Sequence, residues 1–328
     1  MINSSNLIRL PYTPDLTEGG IAFALRSLLY SFDHTSVSLY NRLRHVTAEA
    51  AVELAFRRYL SQQDVPYEIR SATPFTAPDK FNVTLGGHRC DIKSFLISRR
   101  DQIAEMRRSP DVILNAPALI PSDHHITDGY SDNDLYLFAF FAGLTASSQE
   151  DLKKILDAGQ PHYLIHVMPA KWRKPLKWTP LGPLVLKSES SAEIFVEING
   201  QDAGRGVLTR QISLPPKMRV TVEDPFYSVT SIHARDVPSA RLGIHSPVQS
   251  EAHVISPLEW GNIWVYGAET MLTGFISRGE FRQRAKMIAP DSRVFQFDRT
   301  KTKNLAVAVS SLHPLQDLFA RVKAWKPL

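Results

Sequence analysis

The sequence predicts an α/β domain over residues 1–178, followed by a β-rich domain over residues 179–328. Three observations support this prediction: a run of helix formers at 47–60, a strand hairpin around Gly86-Gly87, and a change to short alternating strands after the first domain. A chain of 328 residues suits two packed units better than one.

The two most distinct local elements lie in the first domain. In the helix at 47–60, Thr47 is the predicted N-cap, and Ala, Leu, Glu and Arg fill the segment that follows. In the hairpin, strands at 81–85 and 88–97 flank Gly86-Gly87. A two-glycine loop favours a tight hairpin because glycine tolerates positive φ angles.

The other elements follow from periodicity and from turn residues. In the first domain, we predict a strand at 67–70, a helix at 100–106, a loop at 109–134, an apolar strand at 134–144, a helix at 150–158 and a strand at 161–168. In the second domain, we predict strands at 192–198, 205–214 and 219–222 and helices at 278–286 and 315–325. Its short strands favour a sandwich or a barrel-like module.

The composition restricts the class of protein. A hydrophobic fraction of 43% and a charged fraction of 22% are typical of a globular chain with real cores. No apolar run reaches the ~20 residues of a membrane helix, and the N-terminus lacks a signal-peptide pattern, so we expect a cytoplasmic protein without membrane contact. The single cysteine, Cys90, excludes an internal disulfide and a multi-cysteine metal site.

The charge distribution is compatible with a nucleic-acid partner. The net charge is +5, a modest excess that permits an anionic ligand. The basic residues cluster at Arg99-Arg100, at Arg107-Arg108 and in the segment 171–178. In the last of these, cations alternate with indoles, the composition of a surface that follows a phosphate backbone and stacks on bases. Its candidate nucleic-acid-binding residues are Lys171, Trp172, Arg173, Lys174 and Lys177. A solvated linker face is the alternative interpretation.

The second strand of the hairpin carries a candidate reaction centre. Because side chains alternate along a strand, Asp91 and Lys93 share one face, while Cys90 and Ile92 point to the other face and the core. In the register of a two-residue turn, Asn82 faces Asp91. An acid and a lysine on one face, beside a second polar group, can hold a divalent metal and a water against a phosphate.

These residues resemble the signature of the PD-(D/E)xK superfamily of restriction-endonuclease-like nucleases. The signature here is Pro78-Asp79, eleven intervening residues, and Asp91-Ile92-Lys93. The resemblance implies a mixed sheet flanked by helices, preceded by a helix whose glutamate reaches the metal, a position that Glu53 matches. It further implies DNA hydrolysis with Mg²⁺ or Mn²⁺ bound by Asp91, Glu53 and an acid near 79–82, while Lys93 orients the attacking water.

Several alternatives stay open for these residues. Asp79 has the wrong strand parity to face the centre unless a bulge turns the strand start, so either Asp79 is the ligand, or Asn82 occupies a ligand position whose acid has been replaced. Glu53 could instead form an i,i+4 ion pair with Arg57. Lys93 could be a charge that protects an edge strand.

More faintly, the whole chain resembles nucleases that accompany inactive long Argonaute proteins in bacterial defence. The match lies at Leu7–Gly20, Val52–Ser98 and Trp260–Gly267. It implies an Argonaute partner, cleavage with little sequence preference, and a role against phage or plasmids. The rival hypotheses are a catalytically weakened nuclease fold that serves as a DNA-binding or assembly module, and a sequence-specific restriction endonuclease. A homodimer would suit cleavage of two strands.

Overall fold

The computed structural model describes residues 2–28, 39–69, 83–123 and 131–325. The helices are α1 Pro14–Ser27, α2 Leu39–Gln62, α3 Arg100–Arg108, α4 Asp111–Leu114, α5 Gln149–Asp157, α6 Ala170–Arg173, α7 Arg278–Arg284 and α8 Leu315–Ala324. Short 3₁₀ turns occur at Ser4–Asn6, Pro257–Glu259 and Val309–Ser311. Within these ranges, no helix combines the length and the apolar character needed to cross a lipid bilayer.

The strands make up most of the remaining regular structure. They are β1 Ile8–Leu10, β2 Val83–Leu85, β3 His88–Ile97, β4 Pro117–Pro121, β5 Leu135–Thr145, β6 Leu164–Val167, β7 Leu184–Ser188, β8 Ile194–Gln201, β9 Val207–Leu214, β10 Arg219–Val222, β11 Ser228–Ala234, β12 Leu242–His245, β13 His253–Ile255, β14 Gly261–Asn262, β15 Val265–Ser277, β16 Lys286–Ile288 and β17 Asn304–Ala308.

The chain forms two compact units, each assembled from separate segments. The first unit comprises Met1–Gly20, His45–Thr145 and Val265–Leu328, and the second comprises Ile21–Arg44 and Ala146–Trp264. This division differs from the predicted boundary after residue 178. The physical reason is strand pairing, because β15 pairs antiparallel with β5 and so joins the last part of the chain to the first unit.

The first unit is built on a mixed five-stranded sheet with the order β1-β15-β5-β3-β2. β3 and β5 are parallel, and the other neighbours are antiparallel. The connection from β3 to β5 contains α3, as a parallel crossover requires. A three-stranded antiparallel sheet, β16-β17-β4, belongs to the same unit. The α/β class that the sequence predicts is confirmed at this level.

Apolar side chains cover both faces of the central sheet. On one face, Leu137 belongs to a cluster with buried residues of α2 and α8. On the other face, Phe138 belongs to a cluster with Ile103 of α3 and Phe281 of α7. A strand buried on both faces is apolar along its length, which explains the aromatic sequence of β5. Each fully buried Leu or Phe contributes about 1.5–3 kcal/mol to the free energy of unfolding.

The second unit contains two antiparallel sheets around one core. Their strand orders are β10-β7-β12-β13 and β14-β6-β11-β8-β9. Trp172, Phe226 and Trp260 are among the buried side chains of the shared cluster. This is the β-rich arrangement that the short alternating strands predict, although the core also includes α6.

Two local predictions are corrected. α2 begins at Leu39, upstream of the predicted cap, and Thr47 is fully buried inside the helix rather than at its start. The predicted loop at 109–134 contains α4 and β4. β4 forms because its apolar residues pair with β17, a partner far along the chain that local turn residues do not reveal.

Candidate active site

The hairpin that carries the predicted centre has the expected register. β2 and β3 are antiparallel, with Leu85 opposite His88. Gly86 and Gly87 in the turn have φ angles of 53° and 78°, in the left-handed region that glycine adopts without steric cost. The turn therefore fixes which residues of β2 lie opposite those of β3.

Asp91 and Lys93 lie on one face of β3 and contact each other. Tyr136 of β5 is the register partner of Asp91, and Phe138 is the partner of Lys93. The Nζ atom of Lys93 lies 2.7 Å from Oδ2 of Asp91, and the exposed fractions of the two side chains are 21% and 14%, respectively. The pair is thus half-buried, where an ion pair is screened less by solvent than on an open surface.

The face that carries this pair is not a polar face, contrary to the sequence-based expectation. Tyr136 is buried beneath it, and the guanidinium carbon of Arg278 lies 5.3 Å from the centroid of the Tyr136 ring. Phe281 packs edge-on against the same ring at 5.4 Å. Sequence reasoning missed Tyr136 and Arg278, because only the pairing of β15 with β5 brings α7 to this face.

Glu53 lies on α2, which covers the opposite face of the sheet. The buried residues of α2 share a cluster with Cys90 and Leu137, whereas Asp91 points to the other face. Glu53 forms an ion pair with Arg57 one turn along the helix, the alternative that the sequence left open. The metal-ligand hypothesis requires Glu53 on the same face as Asp91 and Lys93. In the structure, α2 and Glu53 belong to the opposite face of the sheet.

The described residues do not supply a complete metal site. Across residues 2–28, 39–69, 83–123 and 131–325, no three His, Cys, Asp or Glu side chains are arranged to hold a metal ion. Asp91 is the one predicted ligand on the hairpin that the structure describes. Asp79 and Asn82, the two candidates for the second position, lie outside the described residues.

A second carboxylate, Asp134, lies at the start of β5 and has a structural role. Its Oδ1 accepts a hydrogen bond from the backbone N–H of Arg89 at 3.2 Å. Its Oδ2 accepts one from the backbone N–H of Ser131 at 2.7 Å. Asp134 is buried, so these bonds satisfy a carboxylate that would otherwise be costly to bury. They attach the beginning of β5 to β3.

Part of the predicted nucleic-acid surface is buried, which corrects two of its residues. Trp172 has no exposed surface and belongs to the core of the second unit. Arg173 is also buried, and its Nε donates to the carbonyl oxygen of Met168 at 2.8 Å. These side chains are on the short helix α6, which packs against β11. Trp172 therefore cannot stack on a base, and Arg173 cannot follow a phosphate backbone.

The other cations of that segment face solvent. Lys171, Lys174 and Lys177 are exposed. Further along the segment, the indole of Trp178 lies under the guanidinium of Arg205, with 4.7 Å between the guanidinium carbon and the ring centroid. The exposed basic surface is therefore narrower than predicted, and its aromatic member is Trp178 rather than Trp172.

No protein-family model matches the chain, and comparisons with curated proteins and with solved structures returned no significant similarity.

Proposed function

We propose that this chain is a metal-dependent nuclease that hydrolyses phosphodiester bonds in DNA. The observation that carries the proposal is the half-buried pair of Asp91 and Lys93, with 2.7 Å between Nζ and Oδ2, on one face of a strand in a mixed sheet. The spacing of the pair, its position after a tight hairpin and the helix in the following crossover agree with the nuclease signature. DNA as the substrate rests on the resemblance to that superfamily.

Lys93 is the residue best placed to act on a phosphate. Its ammonium group offers three N–H donors, of which a carboxylate partner occupies only part. A donor fixed in a partly dehydrated site stabilises the charge that develops on a phosphate more strongly than one in bulk water. In this proposal, Asp91 positions the Lys93 ammonium, and Lys93 orients the attacking water and stabilises the phosphate.

The proposed metal is Mg²⁺ or Mn²⁺, and its ligands are Asp91 together with Asp79 or Asn82. A divalent ion in such a site activates water and neutralises phosphate charge. Glu53 is the weaker candidate ligand, since α2 covers the other face of the sheet.

The biological setting of this proposal is defence against phage or plasmids. An Argonaute protein would be the partner, the cleavage would depend little on sequence, and a homodimer would cut two strands. The exposed cations Lys171, Lys174 and Lys177 would contact the DNA backbone. The proposed partner, specificity and dimer rest on the resemblance, and the proposed DNA contacts rest on the exposure of the three lysines.

A second candidate function is a DNA-binding or assembly module with a weakened catalytic centre. The observation that favours it is the ion pair itself, because Lys93 neutralises the one carboxylate that the described part of the hairpin offers to a metal. The absence of a three-ligand group among the described residues agrees with this candidate. The two candidate functions share one fold, and they differ in whether the protein cleaves DNA.

Plasmid cleavage tests the proposal directly. We expect the full-length protein to nick or linearise supercoiled plasmid with Mg²⁺ or Mn²⁺ and not with EDTA. Asp91→Asn and Lys93→Met should each lower the rate about 100-fold or more, because each removes a group that acts in the transition state. Lys286→Met is the matched control, since Lys286 is exposed on β16 of the same unit, and its rate should equal that of the parent.

Full activity in Asp91→Asn or Lys93→Met, with the fold confirmed by circular dichroism, would exclude this centre. DNA binding without cleavage by the parent protein would favour the second candidate. The same assay distinguishes the two ligand hypotheses. Asp79→Ala abolishes cleavage if Asp79 is the ligand, whereas Asn82→Asp raises the rate if position 82 is the ligand position.

A further inference from the structure

Two histidines of the second unit meet at hydrogen-bond distance. His166 is on β6 of the five-stranded sheet, and His253 is on β13 at the edge of the four-stranded sheet. Their Nε2 atoms are 2.9 Å apart, and their ring planes differ by 32°. His166 is buried, with 6% of its surface exposed, and His253 is half-buried.

The hydrogen bonds of His166 fix its tautomer. Its Nδ1 lies 3.2 Å from the backbone carbonyl oxygen of Glu259. A carbonyl oxygen only accepts hydrogen bonds, so Nδ1 of His166 carries the proton, and Nε2 of a neutral ring presents a lone pair. That lone pair faces Nε2 of His253. Either His253 donates a proton to it, or both nitrogens share a cation.

Burial of the pair favours the neutral form of both rings, against the nearby carboxylate of Glu259. Burial lowers the pKa of His166 and the pKa of His253. The carboxylate of Glu259 is close enough to act on both rings, and a backbone hydrogen bond from Ser256 holds its pKa below the usual range. The positive charge of Lys171 acts in the opposite direction to Glu259 and lowers the pKa of His253. Neutral imidazoles are the form that binds metal ions.

We infer that His166 and His253 form a two-imidazole site for a divalent cation of intermediate softness, with Cu²⁺ or Ni²⁺ as the best match. Metal–imidazole bonds are about 2.0–2.1 Å long. Two such bonds at a right angle place the nitrogens about 2.9 Å apart, and at a tetrahedral angle about 3.3 Å apart. The 2.9 Å between the two nitrogens is a hydrogen-bond distance as it stands, and it also equals the spacing at the right angle of square-planar or octahedral coordination, which Cu²⁺ and Ni²⁺ favour over Zn²⁺.

The surroundings of His166 are those of a metal ligand. A ligating histidine usually donates its second N–H to a carbonyl or carboxylate, which orients the ring, and the contact between Nδ1 and the Glu259 carbonyl does this. No third His, Cys, Asp or Glu completes the site among the residues that the structure describes, so water would have to supply the remaining ligands. The bound cation links β6 to β13, that is, one sheet of the second unit to the other.

This site is independent of the proposed nuclease centre. Mg²⁺ prefers oxygen ligands, whereas the histidine pair offers only nitrogen. Plasmid cleavage and cation binding at the pair can therefore succeed or fail separately. The functional consequence is stability, because a ligand that binds only the folded state raises the temperature of unfolding.

Titration of the full-length protein with Cu²⁺, and in parallel with Ni²⁺ and Zn²⁺, tests the inference. Glycine in the buffer suppresses binding to the N-terminal amine. We expect one equivalent of Cu²⁺, two nitrogen couplings in the electron paramagnetic resonance spectrum, a higher unfolding temperature, and weaker binding of Zn²⁺. His253→Gln should weaken Cu²⁺ binding at least about tenfold, because one of two protein ligands is lost.

Two control variants distinguish this site from other histidines. His245→Gln alters an exposed histidine of β12, next to β13, and should leave binding unchanged. The double variant His124→Gln with His125→Gln removes the adjacent histidines outside the described residues and should also leave it unchanged. Binding that survives in His253→Gln, or that disappears in the double variant, would overturn the inference.

A measurement on the parent protein does not depend on the folding of any variant. In nitrogen-15 spectra of the imidazoles, Zn²⁺ should remove the Nε2–H signal of His253 and shift Nε2 of His166. If that proton signal persists at saturating Zn²⁺ and no Cu²⁺ binds at one equivalent, the pair is a direct hydrogen bond and not a cation site.

Discussion

Cys90 and Asp91 are consecutive residues of β3 with opposite environments. Cys90 is fully buried in the cluster beneath α2 and α8, and burial raises the pKa of its thiol. The Asp91 side chain lies on the other face with Lys93 and keeps 14% of its surface exposed. The alternation of a single strand thus separates an inert thiol from the candidate reactive pair.

We predict that Cys90 in the native protein reacts with a thiol reagent at least about 1000-fold more slowly than in urea, because the sheet must open first. Since Cys90 is the only cysteine of the chain, absorbance with a chromogenic disulfide reports this site alone. As a control, His88→Cys in a Cys90→Ala background places the thiol at an exposed position of the same strand and should react without delay. Rapid stoichiometric labelling of the native parent would contradict the burial.

Among the elements, the hairpin of β2 and β3 depends on its turn and on α8. Gly86 and Gly87 both have positive φ angles. A Cβ atom at position 87 would lie 3.5 Å from the Trp325 ring, an ordinary contact, and one at position 86 would lie 3.4 Å from Val322. An alanine at position 87 is therefore opposed by backbone strain and not by a clash of its Cβ atom. The turn determines the register of β2 against β3.

We predict that Gly87→Ala destabilises the hairpin by about 1–2 kcal/mol, the cost of a left-handed backbone for a residue with a Cβ atom. The labelling rate of Cys90 should rise about tenfold, since about 1.4 kcal/mol corresponds to a factor of ten. Gly87→Asn should raise it only about threefold, because asparagine tolerates this conformation. Equal rates for the two variants would mean that the turn changes conformation. Gly243→Ala, on β12 of the other unit, is the control variant and should leave the labelling rate of Cys90 unchanged.

On the scale of the whole molecule, the first unit cannot be cut from the chain as one piece. β15 lies between β1 and β5 in the central sheet, although it follows the second unit in the sequence. Nine consecutive residues of β5, from Leu135 to Gly143, are buried. Without β15, this apolar strand would have an open edge, which favours aggregation.

We predict that a fragment ending at residue 178 is insoluble or lacks native structure, because β15, α7 and α8 are missing. A fragment of residues 146–264 retains the paired strands of both sheets in the second unit and should give a dispersed proton–nitrogen NMR spectrum. Solubility and NMR dispersion measure both results. A dispersed spectrum from the 1–178 fragment, with Cys90 protected from labelling, would show that the first unit needs no later strand.

Local patterns predicted many elements of this chain and one feature of the candidate site. The two glycines of the hairpin fixed its turn and register, and the aromatic run of β5 indicated a strand buried on both faces. The face shared by Asp91 and Lys93 followed from the alternation of side chains along β3. The resemblance to the nuclease superfamily placed Glu53 beside Asp91, whereas α2 covers the side of Cys90, and periodicity does not reveal which helix covers which face.

The sequence by itself determined the α/β class, the β-rich character of the second unit and the alternation along β3, because these depend on neighbours a few residues apart. Only the tertiary structure decided that β15 completes the first sheet and that Trp172 is in a core. It also brought Arg278 to Tyr136 and His166 to His253. Such contacts depend on which distant segments exclude water together, and a local pattern records that a side chain is apolar or charged without naming its partner.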